Sequence, residues 1–310
     1  MSSKAIPGLH HVTAISGPPQ SNADFYTGAL KQRLVKRTVN FDDPGTYHLY
    51  YGDDAGTPGS ILTFFPFEGV GPGKSGPGMA SAFSYAVPKG GLASWTEHLQ
   101  DKGVETGEPI ERFGERVLVL SDPDGLTVEL IETEDAKADR DDDGFHSVTL
   151  WLDRIEPTAR ILADVMGYEE HGQERDPDGK QRQRLRSPEG GRGAVVDLIR
   201  SDNASSGRSG AGTIHHVAFR AETPEVQKDW QERVSSAGLD VTPVIDRQYF
   251  DAIYFREPGG VLFEIATDPP GLATDEPAET MGSKLMLPPQ YEPHRDRIEA
   301  VLPPLSVPVR

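Results

Sequence analysis

Stretches in which apolar and polar residues alternate recur four times along the chain. They begin near residues 9, 82, 145 and 214. A period of two is typical of a β-strand with one buried face. Each stretch precedes apolar positions at helical spacing, as in Leu92, Trp95 and Leu99. The pattern therefore predicts four repeats, each opening with a strand and a helix.

Every repeat closes with a Pro/Gly turn and an apolar strand. The turn is Asp122-Pro123-Asp124-Gly125 in the second repeat and Glu257-Pro258-Gly259-Gly260 in the fourth. The predicted final strands cover residues 61–65, 126–131, 194–199 and 261–266, and the first helix is predicted over 22–36. Such a unit leaves one sheet face apolar, so it must pack against another copy. An acidic run at 132–144 indicates the join between two halves.

Composition excludes several classes of function. The chain has 310 residues, no cysteine and a formal net charge of −18. Without cysteine there is neither a disulfide nor a thiolate metal site, and the negative charge opposes nucleic-acid binding. The sequence has no apolar run of membrane-spanning length and no secretory signal. We therefore expect a cytoplasmic protein that binds neither nucleic acid nor a membrane.

Two positions within the repeat carry potential metal ligands. The position on the opening strand holds His11, Ser84, His146 and His216, and the position on the final strand holds Thr63 or Phe64, Glu129, Asp197 and Glu264. Imidazole and carboxylate ligands without thiolate suit Fe(II), Mn(II), Ni(II), Co(II) or Zn(II). Two histidines and one carboxylate leave open positions, as in non-haem Fe(II) oxygenases, whereas four ligands suit Lewis-acid catalysis.

The three carboxylates of the final strands need partners, because burying an unpaired carboxylate is costly. Glu264 lies between Phe263 and Ile265, which favours metal ligation. For Glu129 and Asp197 an ion pair with arginine is the better interpretation. A single histidine on a strand is more often a packed residue than a ligand.

Several ordered motifs carry a resemblance to a known family. They are Leu-His-His-Val-Thr at 9–13, Tyr-His-Leu-Tyr-Tyr at 47–51, Gly-Phe-His-Ser at 144–147, Ile-His-His-Val-Ala-Phe at 214–219 and Pro-Gly-Gly-Val-Leu-Phe-Glu at 258–264. The chain resembles the vicinal oxygen chelate superfamily and, more narrowly, its hydroquinone ring-cleaving dioxygenases. The resemblance implies an α+β fold of four βαβββ modules in two tandem domains. These are residues 1–138, with modules 1 and 2, and residues 139–310, with modules 3 and 4 and an irregular tail.

The resemblance also implies a site and a reaction. Fe(II), with Mn(II) as an alternative, would be held by His11, His216 and Glu264, so that modules 1 and 4 share the cavity. His215, His10, Arg247 and Tyr254 would be catalytic, and Thr13 would bind substrate. The enzyme would insert O2 into a small aromatic substrate, a hydroquinone, and a homo-oligomer is compatible with this interpretation.

Some of these residues also have a purely structural interpretation. Arg247 is placed by the sequence near Asp246 and Asp251, either of which would form an ion pair with it. Tyr254 is equally an aromatic residue of the kind that strands favour. His10 needs a bulge to reach the site, because adjacent strand residues face opposite sides.

Three alternatives remain open from the sequence. If modules 3 and 4 shared the cavity, His146, Asp197, His216 and Glu264 would form the four-ligand site of a glyoxalase-like isomerase or lyase. A catechol-type extradiol dioxygenase would use His146, His216 and Glu264. A non-catalytic aromatic-binding protein of the same superfamily would lack a complete ligand triad.

Overall fold

The computed structural model describes residues 5–136, 144–202 and 204–307. Its strands, in chain order, are β1 (Leu9–Ser16), β2 (Arg33–Asn40), β3 (Asp43–Gly52), β4 (Ile61–Pro66), β5 (Met79–Pro88), β6 (Ile110–Arg112), β7 (Glu115–Ser121), β8 (Thr127–Thr133), β9 (Phe145–Trp151), β10 (Glu169–Arg175), β11 (Gln181–Arg186), β12 (Val195–Arg200), β13 (Thr213–Ala221), β14 (Ile245–Asp246), β15 (Phe250–Arg256) and β16 (Leu262–Pro270).

Short helices connect these strands. They are α1 (Pro19–Asp24), which continues as a π-helical turn (Phe25–Ala29), α2 (Leu92–Asp101), α3 (Ile155–Arg160), which continues as a π-helical turn (Ile161–Val165), α4 (Pro224–Ser236) and α5 (Arg295–Glu299), with 3-10 turns at Leu272–Thr274, Ala278–Thr280 and Glu292–His294. The first helix ends earlier than the predicted residue 36. Lys31 has a φ of 54°, which a right-handed helix cannot contain, and β2 begins two residues later. No helix within the described residues is long and apolar enough to cross a membrane.

The strands form two eight-stranded sheets, which confirms the predicted α+β fold of four modules. The first sheet has the order β14-β15-β16-β13-β1-β4-β3-β2, and the second β10-β11-β12-β9-β5-β8-β7-β6. Module 1 (β1–β4) therefore shares a sheet with module 4 (β13–β16), and module 2 (β5–β8) with module 3 (β9–β12). Each sheet takes one module from each half of the chain. The expected boundary at residues 138 and 139 lies outside the described residues.

The central strands of each sheet pair through bulges. In the first sheet the antiparallel register is reciprocal: His11 faces Ala218, and Thr13 faces His216. This relates modules 1 and 4 by an approximate twofold axis between β1 and β13. The register shifts beside His10 on β1 and beside His215 on β13. A bulge adds one residue to a strand and redirects its side chain.

Strand pairing in the second sheet shows that two of the predicted repeat positions, Ser84 and His146, are wrong. There Ala82 faces Thr149 and Ser84 faces Ser147, again with flanking bulges. The register counterparts of His11 and His216 are therefore Ala82 and Ser147, and not Ser84 and His146. His146 is instead the counterpart of His10 and His215, the bulged residues of the first sheet, so matching by residue type displaced it by one position.

The C-terminal segment closes one end of the curled first sheet. Leu272 and Met281 pack in a buried apolar cluster with residues of β2, β3, β15 and β16. The fully buried ammonium group of Lys36 on β2 contacts the carboxylates of Asp275 (2.7 Å) and Glu276. Buried charges persist when they are paired in this way. The curled sheet is thus closed by residues of the tail at this end and is open at the other.

Candidate metal centre

Two histidines and one glutamate converge where the two modules of the first sheet meet. His11 comes from β1, His216 from β13 and Glu264 from β16, which pairs with β13. The Nε2 atoms of the two histidines are 3.3 Å apart, and they lie 3.5 Å (His11) and 2.9 Å (His216) from Oε2 of Glu264. Their potential ligand atoms all lie within 4.8 Å of one another. The three residues are 2%, 6% and 0% exposed, respectively.

The donor set fits a divalent cation. Among the described residues, neither carboxylate oxygen of Glu264 has a hydrogen-bond partner, because the short contact to His216 lacks hydrogen-bond geometry. A buried carboxylate in this state is costly unless a cation balances it. Burial opposes its ionisation, yet His11 and His216 hold the pKa of Glu264 below its usual range. Two neutral imidazoles and one carboxylate form a common open metal site.

His10 and His215 hold the ring orientation of their neighbours. Nδ1 of His10 is 3.0 Å from Nδ1 of His11, and Nδ1 of His215 is 2.8 Å from Nδ1 of His216. A histidine that binds metal through Nε2 donates its Nδ1–H, so His10 and His215 must accept and be neutral. Burial and the adjacent imidazole lower the pKa of His10 to about 3 and that of His215 to about 4. The bulges supply the geometry that the sequence required for His10.

Arg247 and Tyr254 lie together on the module 4 side. Nε of Arg247 donates to the Tyr254 hydroxyl at 3.2 Å, and Nη1 contacts Asp42 of module 1 at 3.2 Å. The acidic partner of Arg247 is therefore Asp42, and not Asp246 or Asp251. Burial and the charge of Glu264 raise the pKa of Tyr254. The arrangement places a permanent cation and a neutral phenol beside the histidine–glutamate cluster.

Thr13 occupies a different place from that expected of a substrate contact. Its hydroxyl is 2.7 Å from that of Thr63, and both side chains are fully buried. Thr63 in turn contacts Nε2 of His48 at 2.9 Å. Neither threonine lines the cavity. An influence of Thr13 on substrate would therefore pass through Thr63 and His48.

A cavity of about 560 Å³ opens onto the cluster. This volume lies within the usual range for small-molecule sites. Its walls are largely aromatic, and on the module 1 side they include Phe41, His48, Tyr50, Phe65 and Phe67, and on the module 4 side His215, Arg247, Phe250, Tyr254 and Leu262. His10 lies behind this wall, packed on the ring of Phe250 at 5.3 Å between centroids.

His48 and Tyr50 are cavity residues that the sequence analysis did not select. A signal was present, because two residues separated by one position on a strand share a face. The strand register shows their place in the site. Tyr50 on β3 faces Thr63 on β4, just as Tyr254 on β15 faces Glu264 on β16. Tyr50 is thus the counterpart of Tyr254. The same register selects Thr63, and not Phe64, as the counterpart of Glu264.

The second sheet fills the equivalent region with ion pairs. Glu129 contacts Arg112 at 3.0 Å, and Asp197 contacts Arg182 at 3.0 Å and Arg184 at 2.8 Å. The predicted pairing of both carboxylates with arginine is confirmed.

His146 is also held within the second sheet. It is the bulged residue of β9, and its Nε2 contacts Glu115 at 3.0 Å. The alternative ligand sets that combine His146, with or without Asp197, with His216 and Glu264 are therefore not assembled. Their members belong to different sheets.

Comparison with known proteins gives the class defined by this fold and site. The family model of the Glyoxalase/Bleomycin resistance protein/Dioxygenase superfamily matches residues 8–130 and 144–265. The chain belongs to this superfamily, as the motifs indicated.

Relatives narrow the class further. MhqO of Bacillus subtilis, which carries the name of a ring-cleaving dioxygenase, is 50% identical over 98% of both chains. A chlorohydroquinone/hydroquinone 1,2-dioxygenase of Sphingobium indicum is 36% identical over 94% of this chain and 95% of its own. A crystal structure of a Bacillus subtilis protein described as a dioxygenase superposes with a TM-score of 0.92 at 49% identity, covering 99% of this chain and 100% of that one. These relatives support the predicted enzyme of the ring-cleaving dioxygenase class.

Proposed function

We propose that the protein is an Fe(II)-dependent dioxygenase that inserts O2 into the ring of a hydroquinone. The buried cluster of His11, His216 and Glu264 at the base of an aromatic cavity carries this proposal. Three protein ligands leave positions for O2 and a substrate oxygen, and the fourth register position holds the uncharged Thr63. The name of the Sphingobium indicum relative supports the substrate class.

A metal held by these residues would bring O2 and one substrate oxygen together and would pass electrons between them. Mn(II) is the alternative metal for the same donor set. The residues of the chain supply hydrogen bonding, charge stabilisation and orientation.

His215 is a hydrogen-bond donor to the reacting oxygen atoms in this proposal. It lines the cavity, and with a pKa of about 4 it is neutral at pH 7. Its Nδ1 accepts from His216, so the single ring proton lies on Nε2, which is free to donate a hydrogen bond into the cavity.

Arg247 and Tyr254 stabilise the deprotonated oxygen of the substrate. The guanidinium group is permanently charged, and the Tyr254 hydroxyl stays protonated because its pKa is raised. Both are fixed before substrate arrives, since Arg247 bonds to Tyr254 and Asp42. Preorganised donors of this kind stabilise developing negative charge.

Oxygen uptake by the Fe(II)-loaded protein tests the proposal. Protein loaded without O2 is mixed with methylhydroquinone, chlorohydroquinone or catechol. We expect consumption of O2 with the hydroquinones and its loss in His11→Ala and Glu264→Gln. His146→Ala is the matched control and should retain activity, because His146 contacts Glu115 in the second sheet. Activity that survives in His11→Ala contradicts the ligand assignment, and catechol cleavage at an equal or higher rate contradicts the hydroquinone preference.

A further inference from the structure

His48 and Tyr50 lie at the end of a chain of four hydrogen-bonding side chains on the module 1 side. The hydroxyl of Thr13 is 2.7 Å from that of Thr63, Thr63 is 2.9 Å from Nε2 of His48, and Nδ1 of His48 is 3.0 Å from the Tyr50 hydroxyl. The ring of His48 packs at a tilted angle between the rings of Tyr50 (4.2 Å between centroids) and Phe65 (4.4 Å). Both nitrogens of His48 are thus occupied, and its ring cannot rotate freely.

This hydrogen-bonded series of four side chains is uncharged. Burial lowers the pKa of His48 well below its usual value, and the electrostatic influence of His11 and His216 lowers it further. Burial and the charge of Glu264 raise the pKa of Tyr50. The counterpart across the twofold axis differs, because Tyr254 bonds there to the cationic Arg247. The cavity therefore has two tyrosines at equivalent register positions. Tyr254 with Arg247 forms a charged arm of the cavity wall, and Tyr50 with His48 forms a neutral arm.

We propose that Tyr50, oriented by His48, binds the hydroxyl of the hydroquinone that is not bound to the metal. This inference rests on the function proposed above. The charged arm of Arg247 and Tyr254 suits the deprotonated oxygen, and the neutral arm suits the hydroxyl that keeps its proton. The two oxygens of a 1,4-diol lie on opposite sides of the ring, as the two tyrosines lie on opposite sides of the axis. The oxygens of a 1,2-diol are adjacent and cannot use both arms.

The Tyr50 hydroxyl can serve in either hydrogen-bond direction. If it donates to Nδ1 of His48, its free lone pair accepts from the substrate hydroxyl. If Nδ1 carries the proton, the Tyr50 hydroxyl donates to the substrate instead. A substrate hydroxyl is both donor and acceptor, so one hydrogen bond forms in each case. In this role Tyr50 is a specificity-determining residue, and His48 is a positioning residue that acts through it.

Ligand binding by the Fe(II)-loaded protein without O2 tests the inference, with calorimetry as the measurement. Hydroquinone and phenol, which lacks the second hydroxyl, are compared. In Tyr50→Phe we expect the dissociation constant for hydroquinone to rise by about tenfold and that for phenol to stay within about twofold. An equal change for both ligands, or no change for either, overturns the assignment of Tyr50. Wild-type protein that binds neither ligand overturns the proposed function together with this inference.

Variants of His48 test the positioning role. His48→Phe keeps the packed ring but removes both hydrogen bonds, and it should weaken hydroquinone binding as Tyr50→Phe does. The double variant should be no weaker than Tyr50→Phe alone, because His48 acts through Tyr50. His48→Asn keeps a polar atom near Nδ1 and should restore binding, whereas His48→Gln places its amide near the Nε2 position and should not.

The control for His48 is a histidine of similar burial outside the cavity. His98 on α2 contacts the backbone oxygen of Ala29 at 3.1 Å, and His98→Phe should leave both dissociation constants unchanged. Metal content and circular dichroism are measured for every variant. Additive effects of His48→Phe and Tyr50→Phe, or equal binding by the Asn and Gln variants, overturn the positioning role.

Discussion

Thr63 and Glu264 occupy equivalent positions in the two halves of the first sheet. Thr63 faces Tyr50 across β3 and β4, and Glu264 faces Tyr254 across β15 and β16. The approximate twofold axis between β1 and β13 relates the two pairs. A hydroxyl therefore stands where strict symmetry would place a second carboxylate. The site has three potential protein ligands because of this one difference.

Substitution of Thr63 by glutamate should complete a four-ligand set. In Thr63→Glu we expect metal affinity to rise by about tenfold or more, and O2 uptake to be lost, because the added carboxylate occupies an open position and repels an anionic substrate oxygen. Metal titration and the absorption spectrum of the Co(II)-loaded protein measure the change in coordination. Thr63→Gln is the matched control, with similar volume and no charge. Equal metal affinity of the two variants would contradict this expectation.

Glu264 is expected to be responsible for much of the stabilisation that a bound metal gives to the protein. Its carboxylate is fully buried and lacks a hydrogen-bond partner among the described residues. Fe(II) at about 100 times its dissociation constant should stabilise the wild type by about 2.7 kcal/mol and the Glu264→Gln variant by much less. Thermal unfolding with and without metal, in the absence of O2, measures both effects. A metal-dependent shift of the same size in the variant would exclude Glu264 as a ligand.

The order of elements and the need of Glu264 for a partner could be predicted from the sequence for a physical reason, whereas the choice of His11 and His216 as its partners came from the resemblance to the superfamily. Alternation and helical spacing report burial directly, and Glu264 between two apolar residues signals a carboxylate that needs a partner. Register is different, because it depends on bulges that add a residue without altering the apolar pattern. The opening-strand motifs predict Ser84 and His146 as counterparts of His11 and His216, whereas the hydrogen-bonded register gives Ala82 and Ser147.

Contacts between modules also could not be predicted from the sequence pattern. Arg247 was expected to pair with a neighbour along the chain, and its acidic partner Asp42 lies 205 residues away. His48 had no ligand spacing, and its place in the cavity follows from the curl of the sheet that brings β3 over the cluster. Tertiary packing decides both contacts, and local propensity carries no information on them.

The ion pairs of the second sheet should be structural and independent of the metal. Asp197 is fully buried between Arg182 and Arg184. Asp197→Asn removes the carboxylate that the two arginines share, while Arg182 keeps Asp176 and Arg184 keeps Glu115, so we expect a loss of about 2–3 kcal/mol in the free energy of unfolding. Metal content should be unchanged. Asp202→Asn, which removes an exposed pair with Arg200, is the control and should cost less than about 1 kcal/mol. Urea unfolding gives both values, and loss of metal in Asp197→Asn would reopen the four-ligand alternative.

Asp122 should make stability depend on pH in an unusual direction. It accepts hydrogen bonds from the amides of Asp124 and Leu126 and from the Tyr26 hydroxyl, yet burial raises its pKa from 3.8 to about 6. The folded state therefore holds this proton more tightly than the unfolded state. The resulting stabilisation is fully present below pH 4 and is lost as the pH rises through 6.

The comparison with Asp122→Asn isolates this contribution. Between pH 4 and pH 7 we expect the wild type to lose roughly 2–3 kcal/mol of unfolding free energy relative to the variant, which has no charge to bury. Asp101→Asn, at an exposed position of α2, is the control and should follow the wild type at every pH. Urea unfolding at half-unit steps of pH gives the three curves. If the wild type gains stability relative to Asp122→Asn over this range, the hydrogen bonds from Asp124, Leu126 and Tyr26 outweigh the cost of burial, and the pKa of Asp122 is lowered instead.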